Sequence, residues 1–112
     1  MANYQSITPV QICQAAMTTS YVTLYTVPNN VRTYLKDFDI INTTSAIVYI
    51  YVSLVPSGDT AGTANAIMYN NALPAYTTMQ WNGSQVLESG TTLQVKASAV
   101  GCTITASGGE AV

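Results

Sequence analysis

Residues 45–58, SAIVYIYVSLVPSG, decide the fold class. Positions 47 to 55 hold Ile, Val, Tyr, Leu and a single Ser, residue types that suit an extended pleated backbone, and Pro56-Ser57-Gly58 ends the run. Alternation along a strand sends Val48, Ile50, Val52 and Leu54 to one face and Ile47, Tyr49, Tyr51, Ser53 and Val55 to the other. Both faces are apolar, and no stretch of the chain has the periodicity of a covering helix. One face therefore belongs to the core of a β-sandwich, and the other is expected to meet a second sheet or a second subunit. Ile47, Tyr49 and Tyr51 are the candidate interface residues.

Outward toward the amino terminus, residues 20–27 (SYVTLYTV) alternate, Pro28-Asn29-Asn30 turns the chain, and residues 32–42 (RTYLKDFDIIN) read as the next strand. Strict alternation there groups Tyr34, Lys36, Phe38 and Ile40 against Leu35 and Ile41. These two strands are expected to form a hairpin-like pair, and the short Asn42-Thr43-Thr44 link predicts that the second also lies antiparallel to the central strand. Residues 1–19 show no period and read either as an arm that reaches a neighbouring subunit or as an irregular first strand. The expected division is an arm over 1–19 and one β-sandwich domain over 20–112.

Outward toward the carboxyl terminus, residues 57–66 (SGDTAGTANA) form the longest loop, with Asp59 its only charge, and so the first place to look for a binding surface. Strands are expected at 66–71 and 76–81, a tight turn at Asn82-Gly83 and another at Glu88-Ser89-Gly90. Leu93, Val95, Ala97 and Ala99 then alternate with Gln94, Lys96 and Ser98, giving a strand with one wet face, and Val100-Gly101 reverses the chain into a final hairpin. Seven or eight short strands at this spacing predict an all-β antiparallel sandwich, jelly-roll-like in pattern.

Only 7% of the 112 residues are charged, against roughly 25% in an ordinary soluble domain. Three basic and five acidic residues leave no basic patch, so nucleic acid is not an expected partner. The longest apolar run is far shorter than the ~20 residues of a spanning helix, and MANYQSITPV lacks the pattern of a signal peptide. Synthesis in a cytoplasm and no membrane association are therefore expected. Cys13 and Cys102 are read as free apolar thiols, with a disulfide as the alternative.

The chain has no histidine, which removes Ser-His-Asp and Cys-His catalysis, and no CxxC pair for zinc. Asp37 and Asp39 lie about 7 Å apart on an extended strand, a spacing open to glycoside chemistry, but solvated edge carboxylates fit them better. No catalytic residue, metal site or cofactor is expected. Eight tyrosines and one tryptophan raise sugar recognition instead. Asp59, Tyr76, Gln80, Trp81 and Asn82 are the candidate ligand surface, although a tryptophan beside Asn82-Gly83 also suits the plug of a sandwich end. The sequons at Asn42 and Asn82 read as products of a Thr- and Ser-rich composition.

The runs TSYVTLYTVP (19–28), RTYLK (32–36), INTTSAIVYIYVSLVPSGDTAGTANAIMYN (41–70) and LESGTTLQVKASAVGCTITASG (87–108) resemble small structural proteins of tailed bacteriophages. The resemblance covers about four fifths of the chain and consists of strand and turn motifs. It implies a β-sandwich accessory of the virion: a capsid decoration or head-associated subunit, made in the host cytoplasm, that binds other virion proteins such as the major capsid protein. The two-sided apolar strand at residues 47–55 adds the expectation of a homo-oligomer, with a trimer as the state expected of a small β accessory protein. The alternative reading is a receptor- or glycan-binding module at a tail or fibre tip. A secreted adhesin is a third, disfavoured by the amino terminus.

Overall fold

The computed structural model describes residues 6–112. Eight strands fill it: β1 (Ile7–Ala16), β2 (Val22–Thr26), β3 (Arg32–Asn42), β4 (Val48–Val55), β5 (Ala66–Leu73), β6 (Thr78–Leu87), β7 (Thr92–Ala97) and β8 (Cys102–Ala111), with a 3₁₀ turn at Thr63–Asn65. They form two four-stranded antiparallel sheets, one ordered β1-β8-β3-β6 and the other β2-β7-β4-β5. The chain switches sheet at every connection except β4 to β5, which is the jelly-roll pattern of an all-β sandwich.

That topology corrects three pairings expected from turn signals. β2 pairs with β7, whereas β3 pairs with β6 and β8, so the residues around Pro28 and Asn29 carry the chain between layers and make no hairpin. The link through Thr43 and Thr44 likewise leaves one sheet for the other, and so does the reversal at Gly101. Asn82-Gly83 does not turn at all, since both lie inside β6. The turn at residues 88–90 does form, with Gly90 at φ 86°.

The expected arm is, from Ile7 to Ala16, an edge strand paired along β8, with an irregularity in register between Gln11 and Cys13. The sandwich therefore begins ahead of residue 20, and only residues 1–5 of the arm lie outside the described residues. A β-bulge in β3 between Leu35 and Asp37 corrects the strand faces in the same way. One extra residue at Lys36 reverses the alternation, so Thr33 and Leu35 join Phe38, Ile40 and Asn42 as buried residues while Tyr34 is only partly covered.

The core lies between the layers. Leu35, Phe38 and Ile40 from β3 and Ile104 from β8 face Ile50 and Val52 from β4 and Leu93 and Val95 from β7, all at 1% exposure or less. Each such side chain contributes on the order of 1.5–3 kcal/mol relative to an exposed one. Gly108 of β8 sits opposite the β3 bulge, where a Cβ would lie 1.8 Å from the Tyr34 carbonyl oxygen. Only glycine lets the two backbones approach that closely.

Two polar ties join the layers. The buried Asn42 side chain donates through Nδ2 to the carbonyls of Ala46 (2.8 Å), Leu73 (3.0 Å) and Pro74 (3.1 Å), and its Oδ1 accepts from Thr44 N (2.9 Å) and Thr44 Oγ1 (2.7 Å). From the opposite layer, the Tyr25 hydroxyl donates to Glu110 and accepts from Thr33 Oγ1 at 2.7 Å. Burial, followed by the Glu110 contact, pushes the Tyr25 phenol up to about 12.

Candidate interaction surface

The outward face of the β2-β7-β4-β5 sheet carries the densest aromatic cluster of the described residues. Tyr51 on β4 stands opposite Lys96 on β7, and Tyr21 immediately precedes β2. The Lys96 ammonium lies 4.5 Å from the centre of the Tyr51 ring and 5.0 Å from that of Tyr21, so one cation is held between two aromatic faces. Tyr69 meets Tyr51 edge to face at 5.0 Å and 87°, and the Tyr51 hydroxyl donates to Asn70 Oδ1 at 2.9 Å. These contacts hold the rings in place before any partner arrives, which lowers the entropy lost on binding.

The same face has a covered end and an open end. Ser53 and Val55 are buried where the 3₁₀ turn Thr63–Asn65 packs against β4. Asn65 fixes that loop by accepting from Gly62 N and donating to the Thr60 carbonyl, so the segment expected as a plain exposed loop is partly built as a lid over β4. At the open end Ile47 is 54% exposed and Tyr49 40%, beside Ser98, which exchanges hydrogen bonds with the Tyr49 backbone. Ile47, Tyr49 and Tyr51, singled out from alternation alone, thus share one outward surface with Lys96, Tyr21 and Tyr69. Sequence reading placed Lys96 on a wet face but missed its aromatic partners, because the Tyr51–Lys96 register depends on strand order.

Of the expected ligand residues, Gln80, Trp81 and Asn82 come together, while Asp59 and Tyr76 stand apart. Gln80 and Asn82 line a polar depression of about 110 Å³ with Asp37, Asp39 and Trp81 on the other sheet. Asp59 belongs to the β4–β5 loop, and Tyr76, 72% exposed, stands in the β5–β6 connection at φ 55°. The Trp81 ring stacks on the fully buried Phe38 with centroids 5.2 Å apart and planes 12° from parallel, so one of its faces is spent on the core. Within the depression Asp37 accepts a 2.6 Å hydrogen bond from Ser107. Along the same sheet a second hollow, of about 440 Å³, is lined by Ile7, Pro9, Tyr34, Lys36, Ser84 and the Gly108-Gly109 backbone.

Among the described residues no group of three His, Cys, Asp or Glu side chains is placed to hold a metal, and no helix is long and apolar enough to cross a membrane. Cys13 and Cys102 are free and buried, and burial raises the pKa of both thiols. Asn42, fully buried with its amide committed to three carbonyls, is no acceptor for glycan in the folded chain. What the outward face offers chemically is stacking, apolar contact and one positioned cation.

No family model and no curated protein matches the sequence. Solved structures do match the fold. A chain of the T13 IBDV viral particle is similar over 98% of this chain and 31% of its own length, with a TM-score of 0.53 and 12% identity. A chain of the infectious bursal disease virus Gx strain is similar over 96% of this chain and 32% of its own, with a TM-score of 0.51 and 10% identity. At such identities the likeness is one of fold, and this chain spans about a third of the length of the chains it matches.

Proposed function

We propose that the chain is a non-enzymatic structural subunit of a virion. The observation that carries this reading is the match of nearly its whole length, 98%, to part of a chain from an icosahedral viral particle. In the finer reading the protein is a capsid decoration or head-associated accessory of a tailed bacteriophage, a homo-oligomer that binds the major capsid protein through its β surface. The phage-like sequence runs and the open face around Ile47, Tyr49 and Tyr51 support it. Tyrosine-rich, charge-poor patches suit protein interfaces because a ring supplies large contact area at low entropic cost while its hydroxyl stays wet.

The test is to add purified protein to particles that lack it and to image the labelled product. Protein spread over the shell is the expected result. Absence of particle binding would overturn the proposal. Label confined to tail or fibre ends would instead support the second reading, receptor or glycan recognition, for which the depression holding Asp37, Asp39, Gln80 and Asn82 offers polar donors and acceptors.

A further inference from the structure

We infer that copies of this chain associate head to tail, the aromatic face of one subunit meeting the Asp37–Asp39 face of the next. The inference rests on the structural-subunit reading and names the partner of its interface as a second copy. Charge argues for that occupant in two ways. The two outward faces of the sandwich differ in charge: Lys96 sits between Tyr21 and Tyr51 on one, and Asp37 and Asp39 lie exposed beside Lys36 on the other, a group of net negative charge. Of the remaining carboxylates, Glu88 is engaged by Arg32 at 3.0 Å and Glu110 by Tyr25, while Asp59 stands apart on a loop. Asp37 and Asp39 therefore form the acidic pair best placed to receive a cation across an interface.

Charge also selects the geometry. A two-fold contact of the aromatic face brings Lys96 toward Lys96, which like-charge repulsion disfavours, and a two-fold contact of the aspartate face leaves Lys96 without a carboxylate partner. A head-to-tail contact sets Lys96 against Asp37 and Asp39 and lays the Tyr49 and Tyr51 rings over a polar, amide-rich surface that includes Gln80 and Asn82. Such a contact uses two different patches on each copy, so it closes into a ring when the rotation permits and otherwise extends as a chain.

The test is charge exchange followed by sedimentation velocity in low salt, with circular dichroism to verify folding. Lys96→Glu alone and Asp37→Lys/Asp39→Lys alone are each expected to weaken self-association roughly tenfold or more. Mixing the two variants is expected to restore a heterologous pair, because the Lys96→Glu face then meets the lysine-bearing face. The milder Lys96→Met and Asp37→Asn/Asp39→Asn variants serve if a charge reversal impairs folding, and each is expected to weaken association and flatten its salt dependence. Wild-type protein that is monomeric at all concentrations, or variants that associate as the wild type does, would overturn the inference. Particle binding is measured separately on the wild type: monomers that still decorate particles defeat the self-contact alone, and oligomers that ignore particles defeat the virion reading alone.

Discussion

Replacing Asn42 with alanine removes five hydrogen bonds at the corner where β3 leaves its sheet. The consequences are unequal. The bond to the Leu73 carbonyl is buried, so its loss strands an acceptor at about 1–3 kcal/mol, whereas the Ala46 and Pro74 carbonyls are partly reached by water and cost about 0.5–1 kcal/mol each. The Thr44 contacts form a local turn closed by the Asn42 side chain and add about 0.5 kcal/mol. The sum is about 2.5–5.5 kcal/mol, a large share of the roughly 5–15 kcal/mol that stabilises a domain. In urea unfolding the midpoint falls with the slope unchanged. Asn42→Asp keeps Oδ1 and loses the donor half, so it is expected to cost nearly as much as alanine, while Thr44→Ala costs less than about 1 kcal/mol. A loss below about 1 kcal/mol for Asn42→Ala, or equal losses for Asn42→Ala and Thr44→Ala, would refute the assignment of the donor half as the main tie.

Three further outcomes follow from particular contacts. Because the Tyr25 phenol is raised from 10 to about 12 in the fold, its contribution to stability is complete below pH 10 and disappears as pH rises toward 12; absorbance titration should show this tyrosine ionising late, and Tyr25→Phe should abolish the late step. Gly108→Ala forces a methyl group into the Tyr34 backbone and should cost about 3 kcal/mol or more by thermal unfolding. Gly83→Ala, which meets only the Trp81 ring at 3.4 Å, should stay within about 1 kcal/mol of wild type, and equal effects at the two glycines would show that the close β3–β8 approach is not what Gly108 serves. Native Cys13 and Cys102 should react slowly with a thiol reagent at pH 8 and promptly in denaturant, burial and raised pKa both opposing thiolate attack; fast labelling of the folded chain would contradict their burial.

Much of the layer structure was legible. Two-sided apolarity in residues 47–55 foretold a sandwich, and Val48, Ile50 and Val52 are indeed buried while Ile47 and Tyr49 are exposed. The pairing was not legible, because Pro28-Asn29, Thr43-Thr44 and Gly101 report only that the chain reverses. A reversal that crosses to the facing sheet uses the same residues as one that closes a hairpin. Strict alternation failed at Lys36 since a bulge adds a residue without leaving a mark in the sequence, and Gly83 imitated a turn although it lies in β6 against the Trp81 ring. For the outward face, three interface candidates were in view, but Lys96, Tyr21 and Tyr69 became neighbours only through the β2-β7-β4-β5 order.

The position of β8 between β1 and β3 governs how this molecule comes into being. β8 is an inner member of its sheet and joins β1 to β3, strands that precede it by far in sequence. Until residues 102–111 emerge from the ribosome, β1 has no partner and β3 has only β6. Completion of this sheet therefore waits for the synthesis of β8. With most contacts linking distant parts of the chain, refolding belongs on the millisecond-to-second scale typical of such β topologies. In an expressing cell the chain exposes strand edges until β8 is made, and its low charge offers them little protection against pairing with other nascent copies.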